Sequence, residues 1–241
     1  MITRPLLVLL LAIGVEARAG VTCDFTTVVK GNDYQYSGKM YIDGASSRVD
    51  IASGVHPLFN PHHSIITRDG GKEIVVLDHE HHTFFVRNTS AMGGHLATAR
   101  GIGKTSASRP HARVTREGER VTVDVSYRLS MEVEGERMQA TVDLLAEVDA
   151  SDIEQHALPW GLQFAAKTGF PDVDDLIARR LPARLPKRQV VSVSRKISDG
   201  PMVTESITTT VTNVSESPLA ADLFLAPYGY RYEEPVFSFS R

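Results

Sequence analysis

Residues 121–133 read Val-Thr-Val-Asp-Val-Ser-Tyr-Arg-Leu-Ser-Met-Glu-Val, and residues 138–148 read Met-Gln-Ala-Thr-Val-Asp-Leu-Leu-Ala-Glu-Val. In the first stretch every odd residue from Val121 to Val133 is apolar or aromatic; in the second the even residues from Met138 to Val148 are. Period two puts successive side chains on opposite sides of an extended chain, so both stretches predict strands with one buried and one wet face. Between them stands Glu134-Gly135-Glu136-Arg137, whose glycine suits the first central position of a type II′ turn. A two-residue loop of Gly135 and Glu136 predicts Val133 opposite Met138, Met131 opposite Ala140, Leu129 opposite Val142 and Tyr127 opposite Leu144. It also predicts that Glu134 faces Arg137 and Arg128 faces Asp143 on the wet side.

The same tetrad recurs as Glu117-Gly118-Glu119-Arg120. Folding there sets Val114 against Val123, Ala112 against Val125 and Arg113 against Asp124, which makes 111–149 a three-strand meander. Upstream, Asp69-Gly70-Gly71-Lys72 predicts a hairpin with Arg68 facing Glu73 and Ile66 facing Val75. Ile65, Ile66, Ile74, Val75 and Val76 make both faces of that hairpin apolar, as in strands covered on both sides. Further strands are expected near 21–30, 34–42, 47–52, 83–87, 189–198 and 202–214. In the last pair a loop of Asp199-Gly200-Pro201 predicts Ile197 opposite Val203, Arg195 opposite Glu205 and Val193 opposite Ile207. The total is about eleven strands.

Helix is expected between 151 and 184. Ser151-Asp152-Ile153-Glu154 has the spacing of a capping box. Pro171 can start a second helix, with Val173, Leu176, Ile177 and Leu181 on one face before Pro182. A shorter helix is expected near 90–99.

At the start of the chain, Arg4 precedes an apolar run from Leu6 to Val15, and Ala17-Arg18-Ala19 has the small-x-small pattern of a cleavage site. Residues 1–19 are therefore expected to be a signal peptide and residues 20–241 a single exported domain, periplasmic or secreted. No later segment has the roughly 18 apolar residues that a membrane helix requires. The single cysteine, Cys23, leaves no intramolecular disulfide, so stability rests on packing. The formal charge of −3 argues against nucleic acid as the main partner.

Two sets of residues invite chemical readings. His62, His63, His79, His81 and His82 fall at one end of the Gly70-Gly71 hairpin, with Glu80 among them, and imidazoles in that number can hold zinc or copper. A solvated polar loop is the plainer reading, since neither an HExxH helix nor a Cys/His spacing is present. Gly103-Lys104-Thr105 mimics the end of a phosphate loop, but the required first glycine is replaced by Thr98. The basic run Arg179, Arg180, Arg184, Lys187 and Arg188 suits either solvent or anionic headgroups. No catalytic constellation and no cofactor motif is found.

The segments Tyr36–Gly44, Ile65–Lys72, Val76-Leu77-Asp78, Thr83-Phe84-Phe85 and the ending Leu223–Tyr230 resemble the DUF4412-type and LolA-like families of bacterial envelope proteins. That resemblance implies a mainly β (α+β) fold: a curved, unclosed antiparallel barrel, with helices over its open mouth around a hydrophobic cavity. It implies a non-enzymatic periplasmic protein that holds a lipid or a lipidated peptide, without a cofactor. Tyr127, Leu129, Met131, Val142, Leu144, Trp160 and Phe164 are the expected lining residues. Two other readings stay open: an envelope sensor or interaction module of the same fold with a filled core, and a metal-dependent enzyme built on the His-rich loop.

Overall fold

The computed structural model describes residues 20–31, 34–55, 60–68, 73–88, 102–133, 136–154, 176–177, 179–181 and 184–234. They form thirteen strands: β1 (Gly20–Lys30), β2 (Tyr34–Asp43), β3 (Ser46–Gly54), β4 (His63–Arg68), β5 (Glu73–Asp78), β6 (Thr83–Asn88), β7 (Ile102–Ala107), β8 (His111–Glu117), β9 (Arg120–Val133), β10 (Glu136–Glu154), β11 (Arg184–Ile197), β12 (Met202–Ser217) and β13 (Arg231–Tyr232). All join one sheet in the order β13-β6-β5-β4-β3-β2-β1-β12-β11-β10-β9-β7, with β8 also on β9. Every pairing is antiparallel except β13 with β6. The path does not close on itself.

All eleven expected strands are present, and two more join them. β7 and β8 lie end to end along the same edge of β9, the first against Leu129–Val133 and the second against Arg120–Ser126. Pro110 sits at the break between them, where a missing amide donor costs no ladder bond. β13 adds only Arg231 and Tyr232 beside Thr83 and Phe84.

The Glu117–Arg120 turn has the expected register, with Val114 opposite Val123 and Arg113 opposite Asp124, and Gly118 adopts φ 60°. The Arg68–Glu73 and Ile66–Val75 pairs are also as expected. Two registers differ by two residues. Val133 faces Glu136 rather than Met138, so Met131 faces Met138, Leu129 faces Ala140, Tyr127 faces Val142 and Val125 faces Leu144. Arg137 consequently faces Glu132, and Arg128 faces Thr141. At the far end of the same ladder this register sets Arg120 opposite Asp149, where Nε donates to Oδ1 at 2.8 Å. In the other hairpin Arg195 faces Val203 and Val193 faces Glu205, and Ser198 takes a left-handed φ of 47° in a longer loop. A slip of two keeps every side chain on its own face, so the apolar pattern survives.

Ser151–Glu154, expected to open a helix, instead ends β10. The Ser151 hydroxyl still bonds a following amide, that of Ile153 at 3.2 Å, but the chain stays extended. Glu154 pairs with Arg184 after two register shifts. Of the second expected helix, Leu176 and Ile177 are helical, and the Leu181 amide donates to the Ile177 carbonyl at 3.0 Å. The remainder of 155–175 and the helix expected near 90–99 lie outside the described residues. Helices over an open mouth are thus not part of the described fold.

One sheet face runs without interruption from β5 to β9. On it lie Val21, Cys23, Phe25, Met40, Ile65, Val76 and Val211 in one cluster, and Val123, Val125, Val142, Leu144 and Val191 in another. Phe25 faces Val211 within the first, and Val191 of the second faces Ile207 of β12. Leu185 of β11 belongs to the first cluster and Ile153 of β10 packs on it. The opposite face of β4 and β5 carries Ile66, Val75 and Leu77, covered by Phe224 from a short 3-10 turn, Ala221–Phe224. That explains why both faces of this hairpin are apolar.

Candidate functional site

The inner face changes character along its length. Much of it is closed: Val21, Cys23, Val123, Ala146 and Val191 are each at most 2% exposed, and Phe25 is 5% exposed. Toward the β11–β12 hairpin it opens. Val29, Val193 and Ile207 are half-buried, while Ile197 and Val203 are 42% and 51% exposed. The ladder pairs Ile207 with Val29 and with Val191, and Ile197 with Ala140, so these residues continue the same apolar wall. Apolar side chains left open along one continuous face can mark a ligand or partner surface.

A single ion pair interrupts that open stretch. Arg195 and Glu205 lie diagonally across β11 and β12, with Arg195 Nη2 donating to Glu205 Oε2 at 2.8 Å. Their side chains are 36% and 35% exposed. Deeper along the wall runs a buried polar row. Thr27 and Thr209 share a hydroxyl hydrogen bond of 3.0 Å, and buried Gln189 faces Thr209. Tyr36 faces Thr27; burial pushes its phenol above the ordinary range, and the bond from Thr27 opposes that.

Of the expected lining residues, Tyr127, Val142 and Leu144 lie together in the second cluster, with Leu129 packed against it. Met131 stands in β9 opposite Met138. Trp160 and Phe164 lie outside the described residues. Sequence reasoning did not place Val193, Ile197, Val203 and Ile207 on this wall as site residues, although the alternation of 189–207 already put them on one face.

The histidines are divided among different tasks. Asp78 closes the β5–β6 turn: its Oδ1 accepts from the amides of Glu80 and His81, and its Oδ2 lies 2.8 Å from His81 Nδ1 and 3.5 Å from His63 Nε2. Burial raises its pKa, but these hydrogen bonds and the His63 charge prevail and bring it down to about 2. His79 instead points into a chain of hydrogen bonds. Arg48 Nε donates to Asp50 Oδ1 at 2.6 Å, and Ser64 Oγ donates to the same oxygen at 2.5 Å. Ser64 Oγ is 2.6 Å from His79 Nε2, and His79 Nδ1 is 2.6 Å from the Tyr230 hydroxyl. With the Ser64 proton committed to Asp50, His79 Nε2–H donates to Ser64 and Nδ1 accepts from Tyr230, which is the neutral imidazole. Burial, helped by the Arg48 charge, lowers the His79 pKa accordingly. Ser64 is 1% exposed, so this Ser–His contact is a structural brace rather than a reachable nucleophile.

That brace ties the end of the chain to the outer face. Arg48 Nη1 donates to the Leu223 carbonyl at 3.1 Å, and Arg68 donates twice to the Phe224 carbonyl, at 3.0 and 2.8 Å. His62 is exposed, and among the described residues no three His, Cys, Asp or Glu side chains are grouped to hold a metal ion. The His-rich loop thus gives the metal-enzyme reading no ligand set there. In the basic run, Arg179, Arg180, Arg184 and Arg188 are exposed, and Lys187 Nζ bonds Glu119 Oε2 at 2.9 Å. Among the described residues no helix is long and apolar enough to cross a membrane.

No protein-family model matches the chain, and no curated protein matches it. Among solved structures, "Structure of PNGF-II in C2 space group" aligns with 90% of this chain and 31% of that one, at 8% identity and a TM-score of 0.33. The chain thus spans about a third of that protein, and a likeness of this degree carries no argument about fold or activity.

Proposed function

We propose that this chain is an exported, non-enzymatic binding protein that holds an acyl chain, of a lipid or a lipidated peptide, against the inner face of its unclosed sheet. The observation that carries this reading is the open apolar wall: Val193, Ile207, Ile197 and Val203 continue a buried core out to solvent on the same sheet face. Core residues that serve packing alone would be covered. The signal-peptide pattern of residues 1–19 and the resemblance to LolA-like envelope proteins support placement in the periplasm. Burying about ten methylenes contributes roughly 8 kcal/mol, which corresponds to micromolar binding before association costs are met.

Native mass spectrometry of the chain purified from its own host is expected to show one acyl-containing adduct. The delipidated protein is expected to bind dansyl-undecanoic acid with a micromolar Kd, weakened at least tenfold by the pair Val193→Lys and Ile207→Lys. A protein that is empty from its host and also fails to bind the probe would refute carriage and favour an envelope sensor or interaction module.

A further inference from the structure

We propose that Arg195 is a headgroup site, and that the ligand is an acyl chain ending in an anionic group, a carboxylate or a phosphate monoester. This rests on the acyl-carriage reading and narrows it to one ligand class.

Three features meet at this residue. Arg195 lies on the inner face, because its ladder partner Val142 belongs to the inner cluster and its other neighbour is Val203. It stands where the wall passes from buried to open: Val191 is 0% exposed, Val193 is half-buried and Ile197 is 42% exposed. A chain lying along the wall therefore brings its polar end to this depth. Finally, the guanidinium is incompletely used. Among the described residues its hydrogen bond to Glu205 engages Nη2, and the side chain is 36% exposed, so a five-donor fork keeps donors for a second acceptor.

Glu205 has a definable part in this arrangement. Held diagonally at 2.8 Å, it fixes the guanidinium on the exposed stretch of the wall and balances its charge. A bound anion shares the guanidinium with Glu205, so the carboxylate opposes the very ligand class that Arg195 attracts. The pair thus sets a preference in both directions: an anionic head finds donors, whereas a cationic head meets the guanidinium. The two substitutions must act with opposite sign, which an ion pair serving only the hairpin would not produce.

The test uses the full mature chain, delipidated, with dodecyl phosphate, laurate, dodecanol and inorganic phosphate as probes in titration calorimetry. Dodecyl phosphate and laurate are expected to bind at least about tenfold more tightly than dodecanol, as a charge-assisted hydrogen bond implies. Arg195→Gln is expected to bring the ratio of anionic-probe to dodecanol affinity down to about one, and Glu205→Gln to raise that ratio. Should Arg195→Gln misfold, the wild-type preference, its weakening by salt and the Glu205→Gln result still decide the matter. Equal binding of laurate and dodecanol, or a preference that survives Arg195→Gln, would overturn the headgroup site and leave acyl carriage standing. Failure of every acyl probe would overturn carriage itself. Inorganic phosphate binding as tightly as dodecyl phosphate would show a free-anion site and overturn the lipid assignment.

Discussion

Phe224→Ala is expected to be among the most damaging single substitutions in the chain, although the residue sits outside the sheet. Phe224 is 7% exposed and packs on Ile66, Val75 and Leu77, which are themselves at most 1% exposed. The neighbouring backbone is pinned independently of the ring, by two Arg68 bonds to the Phe224 carbonyl and one from Arg48 to the Leu223 carbonyl. The segment cannot slide inward to fill the space, so removal of the ring leaves a cavity and costs about 3–5 kcal/mol. The ceiling is the free energy of peeling this segment off the sheet, because local opening then becomes the cheaper route. At about 3 kcal/mol a domain of this size loses roughly 6–12 °C in Tm. Urea unfolding followed by near-UV circular dichroism measures the loss, and hydrogen exchange at the Leu223 and Leu225 amides tells global from local opening. A midpoint within about 1 kcal/mol of wild type, with those amides still protected, would refute the view that Phe224 closes the outer face.

Three further outcomes are expected. Asp78 ionises at about 2 in the folded chain, below the ordinary aspartate range, so its stabilisation is complete above about pH 4 and lost as pH falls toward 2; Asp78→Asn should flatten the urea midpoint across that window, by at most 1–2 kcal/mol given the partial exposure of the carboxylate. His79 has a lowered pKa, so the unfolded chain binds its proton first and stability falls as pH drops through the ordinary histidine range; the difference between wild type and His79→Gln should shrink from pH 7.5 to pH 5.5, and a constant difference would contradict the neutral imidazole. Gly38→Ala would put a Cβ 1.9 Å from the Asp50 carbonyl oxygen, whereas at Gly118 a Cβ meets nothing within 4 Å and only φ 60° is strained; thermal unfolding should show a loss well above 2 kcal/mol for the first and about 1 kcal/mol for the second.

Strand existence was legible wherever alternation was long or a glycine turn marked the end, which covers eleven of the thirteen strands. β7 escaped because Ile102-Gly103-Lys104-Thr105-Ser106-Ala107 has no apolar alternation; Ala107 at its end packs on the second cluster. β13 is two residues long and leaves no periodic trace. Ser151–Glu154 misled because a capping box and a serine turn at a strand irregularity use the same local bond, from the serine oxygen to a nearby amide. The outer cover was legible only in part. Two apolar faces at Ile65–Ile66 and Ile74–Val75 announce a second layer, but that Leu223–Tyr230 supplies it depends on Arg48, Arg68 and His79, whose partners lie more than 150 positions away.

The two displaced registers bear directly on the site. Alternation has period two, so it assigns a face to each residue but is blind to slips of two, and competing ends of a long ladder then decide the register. In β9–β10 the displaced register brings Arg120 to Asp149; in β11–β12 it comes with a longer loop in which Ser198 is left-handed. Arg195 and Glu205 met regardless, because a diagonal pair on one face is still within reach of two long side chains. The wall and its charged pair are therefore consequences of the pattern of side chains, robust to the register. A substitution that moves the register by one, not by two, would turn Arg195 outward and place Lys196 on the inner face. The apolar wall would be lost with it, and acyl binding and headgroup preference should vanish together. Deleting one residue between Ser198 and Pro201 should be harmless if the loop absorbs it; abolition of both properties in a folded protein would mark a slip through the hairpin.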